Sequence, residues 1–486
     1  MIEPRTAARP PFALPAADRD RLHRHLETAI RRARTVRSGR VLAAVTVRLD
    51  PRTDPTAVAV ASRQPAEPWF VLEQPDRERS ALATLGCVAA LEAHGSGRFA
   101  EVASGWRALA TDACCDTPDD RGRPRGSGPV CVGGFAFAPE GGQAPHWGDF
   151  APASLHVPEI AIARRDDDVR MTVHALAHPD DTADALLQRA VARCDALVLR
   201  PLPLLDPDPV GRVRVASAMP PEHYEDAVAR AVERIRAGAL DKVVLAREVQ
   251  VLLGRGRSHD EGAVLGVLRE AFPSCYVFAV GRGEATFLAA SPELLVRRDG
   301  LRAGTLALAG STRRSADPAV DDHLGEQLLR SEKDRGEQAI VTHRIERALR
   351  PVALWVTAAE EPEVVRMANI QHLATPIRAQ LAEPVPAIEL AGRLHPTPAV
   401  GGEPWAAAAP LIPALEGLDR GWYAGPVGWT DRNEDGEFCV ALRCALLEGP
   451  LARCYAGVGV VRDSDPAAEL AETETKLQAL LPVLSL

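Results

Sequence analysis

Near the C-terminus, Glu469, Glu472 and Lys476 are spaced so that a helix would carry all of them on one face. Two carboxylates and an ammonium gathered there could hold a hard cation and anchor an anion. The run before them, YAGVGVV from Tyr455, has Gly457 and Gly459 inside an apolar strand pattern, as in a strand that something approaches closely. Asp463, Ser464 and Asp465 then offer a cap and Pro466 a first-turn proline, so the helix starts there. The same spacing also suits a solvated face with an ordinary Glu472–Lys476 pair.

Other residues could join this group. Lys242 opens the apolar strand pattern DKVVLAREVQVLL; burial there would favour the neutral amine and make it a general base, although an edge lysine in solvent fits too. Glu293, between the apolar runs of AASPELLVRR, is either a buried carboxyl able to donate a proton or a residue of an exposed turn. Glu337 lies on a different helix from Glu472, and carboxylates from two helices suit Mg2+, which keeps waters and accepts substrate oxygens. A surface pair with Lys333 is the alternative for Glu337. Arg443, in the alternating strand pattern FCVALRCALL, wants a carboxylate partner that a ligand can supply. His372 in NIQHLATP fits a satisfied core histidine better than a catalyst.

Of 57 basic residues, only Lys242, Lys333 and Lys476 are lysines. A chain that otherwise uses arginine keeps lysine where a compact ammonium, or an amine that can lose its proton, is needed. Lys333 acquires no role on these grounds.

The elements that must position these residues are mixed. Helices are expected at 20–36, 221–238, 259–271 and 405–417, with one long helix at about 319–349. Strands are expected at 41–49, 68–75, 130–139, 155–165, 169–176 and 241–253, and residues 78–110 read as mostly helical. Gly133-Gly134 lacks the lysine and helix start of a phosphate loop and fits a bulged strand better. Asp435-Gly436 signals a type I′ hairpin turn, and the proline-rich 201–211 is the best internal boundary.

Composition narrows the function. A net charge of −9 argues against a nucleic-acid partner, and no apolar run reaches the about 18 residues that span a membrane. Residues 1–20 lack a signal-peptide core and read as a disordered cytoplasmic lead-in. Nine cysteines without a CxxC indicate neither zinc nor a disulfide framework, which suits a reducing cytoplasm.

DKVVLAR, SPELLVRR, LAGSTRR, SEKDRGEQ, IQHLATP, LHPTPAVGG, RGWYAGPVGW, GEFCVALR and YAGVGVV with AELAETETK occur in one order. Together they resemble the chorismate-utilising enzymes, and most closely the isochorismate synthases. The match is dense over 210–486 and looser over 21–200, through WFVLEQPDR, GGFAFAP and HWGDF. The resemblance implies a single α+β (mixed α/β) domain over 21–486, with two face-to-face β-sheets flanked by helices and the proline-rich connector as a seam within it.

It also implies roles. Lys242 would activate water for attack on C2 of chorismate, and Glu293 would protonate the departing C4 hydroxyl. Glu337 and Glu472 would hold Mg2+, with Glu469 acting through water. Arg443, Tyr423, Lys476 and the Gly457 backbone would receive the enolpyruvyl carboxylate, and Ser311 and His372 would line the ring end. One helical turn, roughly 5–6 Å, would then separate the metal and enolpyruvyl ends.

Lys242 favours water over ammonia as nucleophile, so no glutaminase partner is expected, and relatives are often monomers. The rivals are a salicylate synthase, an amine-using synthase and a non-catalytic chorismate-binding protein. Leu470 departs from the family's usual aromatic residue, a change expected to face the core.

Overall fold

The computed structural model describes residues 10–116, 122–206, 211–368 and 370–486. Alternating and continuous apolar runs pair there into two antiparallel β-sheets, with twelve and ten strands among the described residues. Strands such as Tyr276–Arg282 and Ala285–Ser291 are buried along their whole length, as expected of strands covered on both faces. One hydrophobic cluster joins Phe70, Phe278 and Phe287 of the first sheet to Val132, Phe135 and Phe438 of the second. On the other face of the first sheet, a second cluster packs Leu22, Leu26, Leu186 and Leu268 from three helices.

Both sheets mix early and late strands. Trp69–Gln74 pairs with Tyr276–Arg282, Val71 opposite Ala279, and Val130–Phe135 pairs with Pro426–Asp431. Strands from the two sides of the proline-rich connector thus share ladders, and residues 207–210 of that connector lie outside the described residues.

Several expectations are corrected. The lead-in does not extend to residue 20: Phe12 and Leu14 are buried and the first helix is Ala16–Ala33, while residues 1–9 lie outside the described residues. Residues 78–110 hold two strands, Ser80–Leu85 and Ala89–Ala93, before the helix Arg98–Thr111; sheet pairing overrides the helical leaning of their Ala and Leu. The long helix is two, Pro318–Arg330 and Glu332–Leu349, because Ser331 is extended and its hydroxyl caps the second by accepting from the Asp334 N–H at 3.3 Å. Gly133-Gly134 lies inside a regular strand with no helix start after it. Gly436 begins a strand opposite Thr430, so the turn is Arg432–Asp435, with Glu434 at φ 61°.

The strand Lys242–Leu252 pairs along one edge with Leu451–Val460. Its other edge pairs with Gly402–Glu403 and Arg214–Ser217, and between them is held by a buried ion pair that the sequence did not suggest, Arg420 with Glu416, 2.5 Å apart and each 4% exposed. Arg420 donates to the carbonyls of Val244 at 2.9 Å and Val400 at 2.8 Å, and Glu416 accepts from the Ala246 N–H at 2.7 Å. Removing one partner leaves a buried charge and a strand N–H unpaired. Glu416→Ala should therefore lose about 3–5 kcal/mol of unfolding free energy; a denaturant midpoint within error of wild type would show that the pair does not hold the strand.

Candidate active site

Two strands pass from one sheet to the other at the same place. Ala285–Ser291 of the first sheet continues as Leu294–Asp299 of the second, so Pro292 and Glu293 form the crossing. Gly436–Val440 of the second sheet runs through Ala441–Arg443 into Cys444–Glu448 of the first. The crossings bond to each other: the Val440 N–H donates to the Glu293 carbonyl at 3.0 Å, and the Ala290 N–H to the Arg443 carbonyl at 3.2 Å. The Ser291 hydroxyl donates to the Val440 carbonyl at 2.5 Å. Arg443, at φ 49°, is thus a turn residue between strands and not within one, as its alternating neighbours suggested.

Beside the crossings lies a cleft lined by Glu293, Ser311, Glu337, His372, Tyr423, Arg443, Gly457, Gly459, Glu472 and Lys476. Lys242 meets this lining through Glu337. Its ammonium is wholly buried, 2.7 Å from the Glu337 carboxylate, an ion pair whose alignment falls short of a hydrogen bond. The pair lies against Gly459, where an added Cβ would collide with the carboxylate and come within 2.8 Å of Lys242 Cε.

Gly457 has the Tyr423 hydroxyl 2.7 Å from where its Cβ would stand. The ladder with Cys444–Glu448 ends at Tyr455, so Gly457 lies beyond it, and its carbonyl accepts from Lys476 Nζ at 2.9 Å. The C-terminal helix is Pro466–Leu477, with Asp465 as its cap. Lys476 turns back onto Glu472, Nζ to Oε1 2.8 Å, so the helical spacing does not hold the two apart here. Glu469, 2% exposed, accepts from Lys333 Nζ at 2.9 Å.

A bulge aims Ser311. The ladder between Arg302–Arg313 and Ile370–Leu381 shifts register at Gly310, whose φ of 71° suits glycine. The Ser311 hydroxyl then donates to Glu472 Oε1 at 2.6 Å. Burial raises the Glu472 pKa, but Lys476 and Ser311 outweigh it and hold the carboxylate at about 2.

Glu293 behaves in the opposite way. It is 4% exposed, and burial lifts its carboxyl to about 8 against the pull of Lys242, Arg443 and Lys476. Burial, with Arg443 and Lys476, pushes His372 down to about 3, so its ring is neutral. One ring nitrogen, Nδ1, donates to the Gly310 carbonyl at 3.2 Å; the other, Nε2, accepts from Arg443 at 3.2 Å. Tyr423 is buried and stacks on Tyr455 with ring centres 5.4 Å apart.

A model of the chorismate binding enzyme family matches residues 28–485. The salicylate biosynthesis isochorismate synthase of Pseudomonas aeruginosa is 40% identical over 448 residues, 92% of this chain and 90% of that protein. The chain belongs to the chorismate-binding enzyme family. Isochorismate synthase MenF of Bacillus subtilis is 33% identical over 389 residues, 80% of this chain and 82% of that one. The solved structure of MenF, the menaquinone-specific isochorismate synthase from Escherichia coli, shares the fold of this chorismate-binding enzyme, with a TM-score of 0.75 over 96% of this chain and 100% of that one at 24% identity.

The donor set of this chorismate-binding enzyme can be tested against Mg2+. Among the described residues no three His, Cys, Asp or Glu side chains form a ready metal cage. Mg2+ does not need one, because one or two carboxylates with water and substrate oxygens suffice. Glu337 and Glu472 reach the same cleft from two helices, each facing an ammonium that a cation would displace, so the residues fit.

Sequence reasoning missed the ion pair of Lys333 with Glu469 and the cleft lining by Tyr455. The second was legible, since Tyr455, Gly457 and Gly459 alternate along one strand and all line the cleft. Leu470 is partly buried against the main core. Gly459→Ala should separate Lys242 from Glu337, costing about 1–3 kcal/mol in stability and suppressing chorismate turnover in the folded protein. Wild-type melting together with wild-type turnover would show that the pair has room to spare.

Proposed function

We propose that the chain is an isochorismate synthase, which interconverts chorismate and isochorismate with Mg2+ as cofactor. One observation carries the reading. A fully buried lysine, Lys242, paired with Glu337 of the cleft lining, stands within electrostatic reach of Glu293, a buried carboxyl of the same lining kept protonated to about pH 8. Such a pair is a base and an acid for exchanging two hydroxyl groups on a ring.

Lys242, released from Glu337 as the neutral amine, takes a proton from water as the water oxygen bonds to C2. The ring double bonds shift, and the C4–O bond breaks as Glu293 protonates the departing hydroxyl. One water enters and one leaves, so the reaction is an isomerisation with little drive in either direction. Glu337 and Glu472 would hold Mg2+, with Glu469 acting through water, and the bound cation would supply positive charge for the ring carboxylate. Arg443 and Lys476 attract the enolpyruvyl carboxylate, with the Tyr423 hydroxyl and the Gly457 backbone beside them. Neutral His372 accepts from Arg443 and so orients it, and Ser311 shares the ring end.

The proposal includes a monomer in the cytoplasm that draws its nucleophile from solvent, without a glutaminase subunit. No helix among the described residues is long and apolar enough to cross a membrane, and all nine cysteines are free, as suits a reducing compartment.

Purified protein given chorismate and Mg2+ should form isochorismate without ammonium. Fluorescent salicylate appearing without an added lyase would make it a salicylate synthase instead, and product only with ammonium would make it an amine-using one. Lys242→Ala should abolish turnover while chorismate binding stays measurable; unchanged turnover would remove the lysine base.

The pH dependence follows from Glu293. Its folded pKa, about 8, lies above the ordinary 4.5, so the fold favours the neutral acid and ionisation costs stability progressively as pH rises from about 4.5 to 8. Forward rate should fall as pH passes 8. Glu293→Gln should lose about 10²–10⁴-fold in rate yet melt no lower than wild type at pH 8. A Gln variant that keeps the alkaline fall would assign the titration to another group.

A further inference from the structure

All three lysines of the chain pair with glutamates of the two helices beside the cleft, of which Glu337 and Glu472 line it: Lys242 with Glu337, Lys476 with Glu472 and Lys333 with Glu469. Lys476 also donates to the Gly457 carbonyl, and in the reading proposed above Lys242 serves the attacking water, so either can leave its glutamate. The Lys333 ammonium has Glu469 as its one ion-pair partner among the described residues, and lies at the start of the helix that also carries Glu337. It is within electrostatic reach of all three carboxylates, Glu469 foremost.

Building on the reading of the cleft as a Mg2+ site, we propose that Lys333 is a positioning residue that withholds Glu469 from direct coordination and so limits the cation to two protein carboxylates. Glu469 and Glu472 share a helix face three residues apart, and Glu337 approaches from the second helix. A divalent cation drawn between them attracts all three. With three carboxylates bound, the site would carry a net negative charge and fewer positions for a dianionic substrate, whose own carboxylate has to reach the metal. Lys333 prevents this by engaging Glu469 Oε1 at 2.9 Å, and neutralises the one carboxylate that no substrate-facing lysine serves. Its side chain is 38% exposed, so its stem is not part of the core and can be shortened.

The test is cation binding to the full chain without substrate, by calorimetry with Mg2+ and by counting the waters on bound Mn2+ through proton relaxation. Lys333→Met should bind Mg2+ about 10-fold or more tightly than wild type and its Mn2+ should carry fewer waters. Lys333→Arg should behave as wild type, and Lys333→Met with Glu469→Gln should return to wild-type affinity. Glu469→Gln alone, which leaves no buried carboxylate unpaired, serves if Lys333→Met fails to fold. It should shift affinity by less than about threefold, whereas loss of a direct ligand would cost about 10-fold or more. Unchanged or weaker binding by Lys333→Met, or tighter binding with the water count unchanged, would overturn the proposal. A wild-type protein that binds neither cation would overturn the Mg2+ reading itself, separately from the role of Lys333.

Discussion

A strand that leaves its sheet abandons ladder partners, and its buried N–H and C=O groups must be satisfied elsewhere. Here two strands leave together and satisfy each other, through Val440 to Glu293, Ala290 to Arg443 and Ser291 to Val440. Both sheets are therefore tied together along this line, and the backbone that carries its side chains is fixed from both sheets. Glu293 and Arg443 come from crossings 150 residues apart in the chain, positions 293 and 443, yet share one backbone network. The cleft is where it is because neither sheet continues across this line.

That placement explains the electrostatics. A carboxyl at a crossing is surrounded by sheet and not by water, which is why burial is the largest influence on Glu293 and keeps it protonated well above the ordinary carboxyl range. Glu472 is only partly buried, and with Lys476 and Ser311 beside it stays ionised. Two carboxyls in one cleft thus take opposite protonation states, set by whether a donor reaches them. The distinction suits an acid on one side and a cation ligand on the other.

Much of this is legible in the residues. The cap at Asp465, the proline at 466 and the common face of Glu469, Glu472 and Lys476 follow from local rules, and the helix forms accordingly. The scarcity of lysine ranks Lys242, Lys333 and Lys476 among the candidates without choosing between them. What local rules miss is non-local. Nothing near Arg443 announces that its strand changes sheets, because apolar alternation continues through the crossing. Ser331 breaks a long helical pattern by capping, and Ala-rich 80–93 becomes strand because neighbouring strands are there to pair with it. Glu416 and Arg420 are four residues apart and look like any surface pair, yet both bond to a strand far earlier in the chain, Ala246 and Glu416 being 170 residues apart.

The bulge at Gly310 links these parts. Its carbonyl fixes the tautomer of His372 by accepting from Nδ1, which leaves Nε2 as an acceptor for Arg443. The residue after it, Ser311, donates to Glu472. One irregularity in a ladder therefore orients both the arginine proposed for the anion subsite and a carboxylate proposed for the cation subsite. A regular strand could not do so, because adjacent side chains would point to opposite faces and the Gly310 carbonyl would be committed to the ladder. The distance between the two charged ends of the cleft is then set by the rigid sheet and not by the C-terminal helix, whose Lys476 bends back across the turn to Glu472.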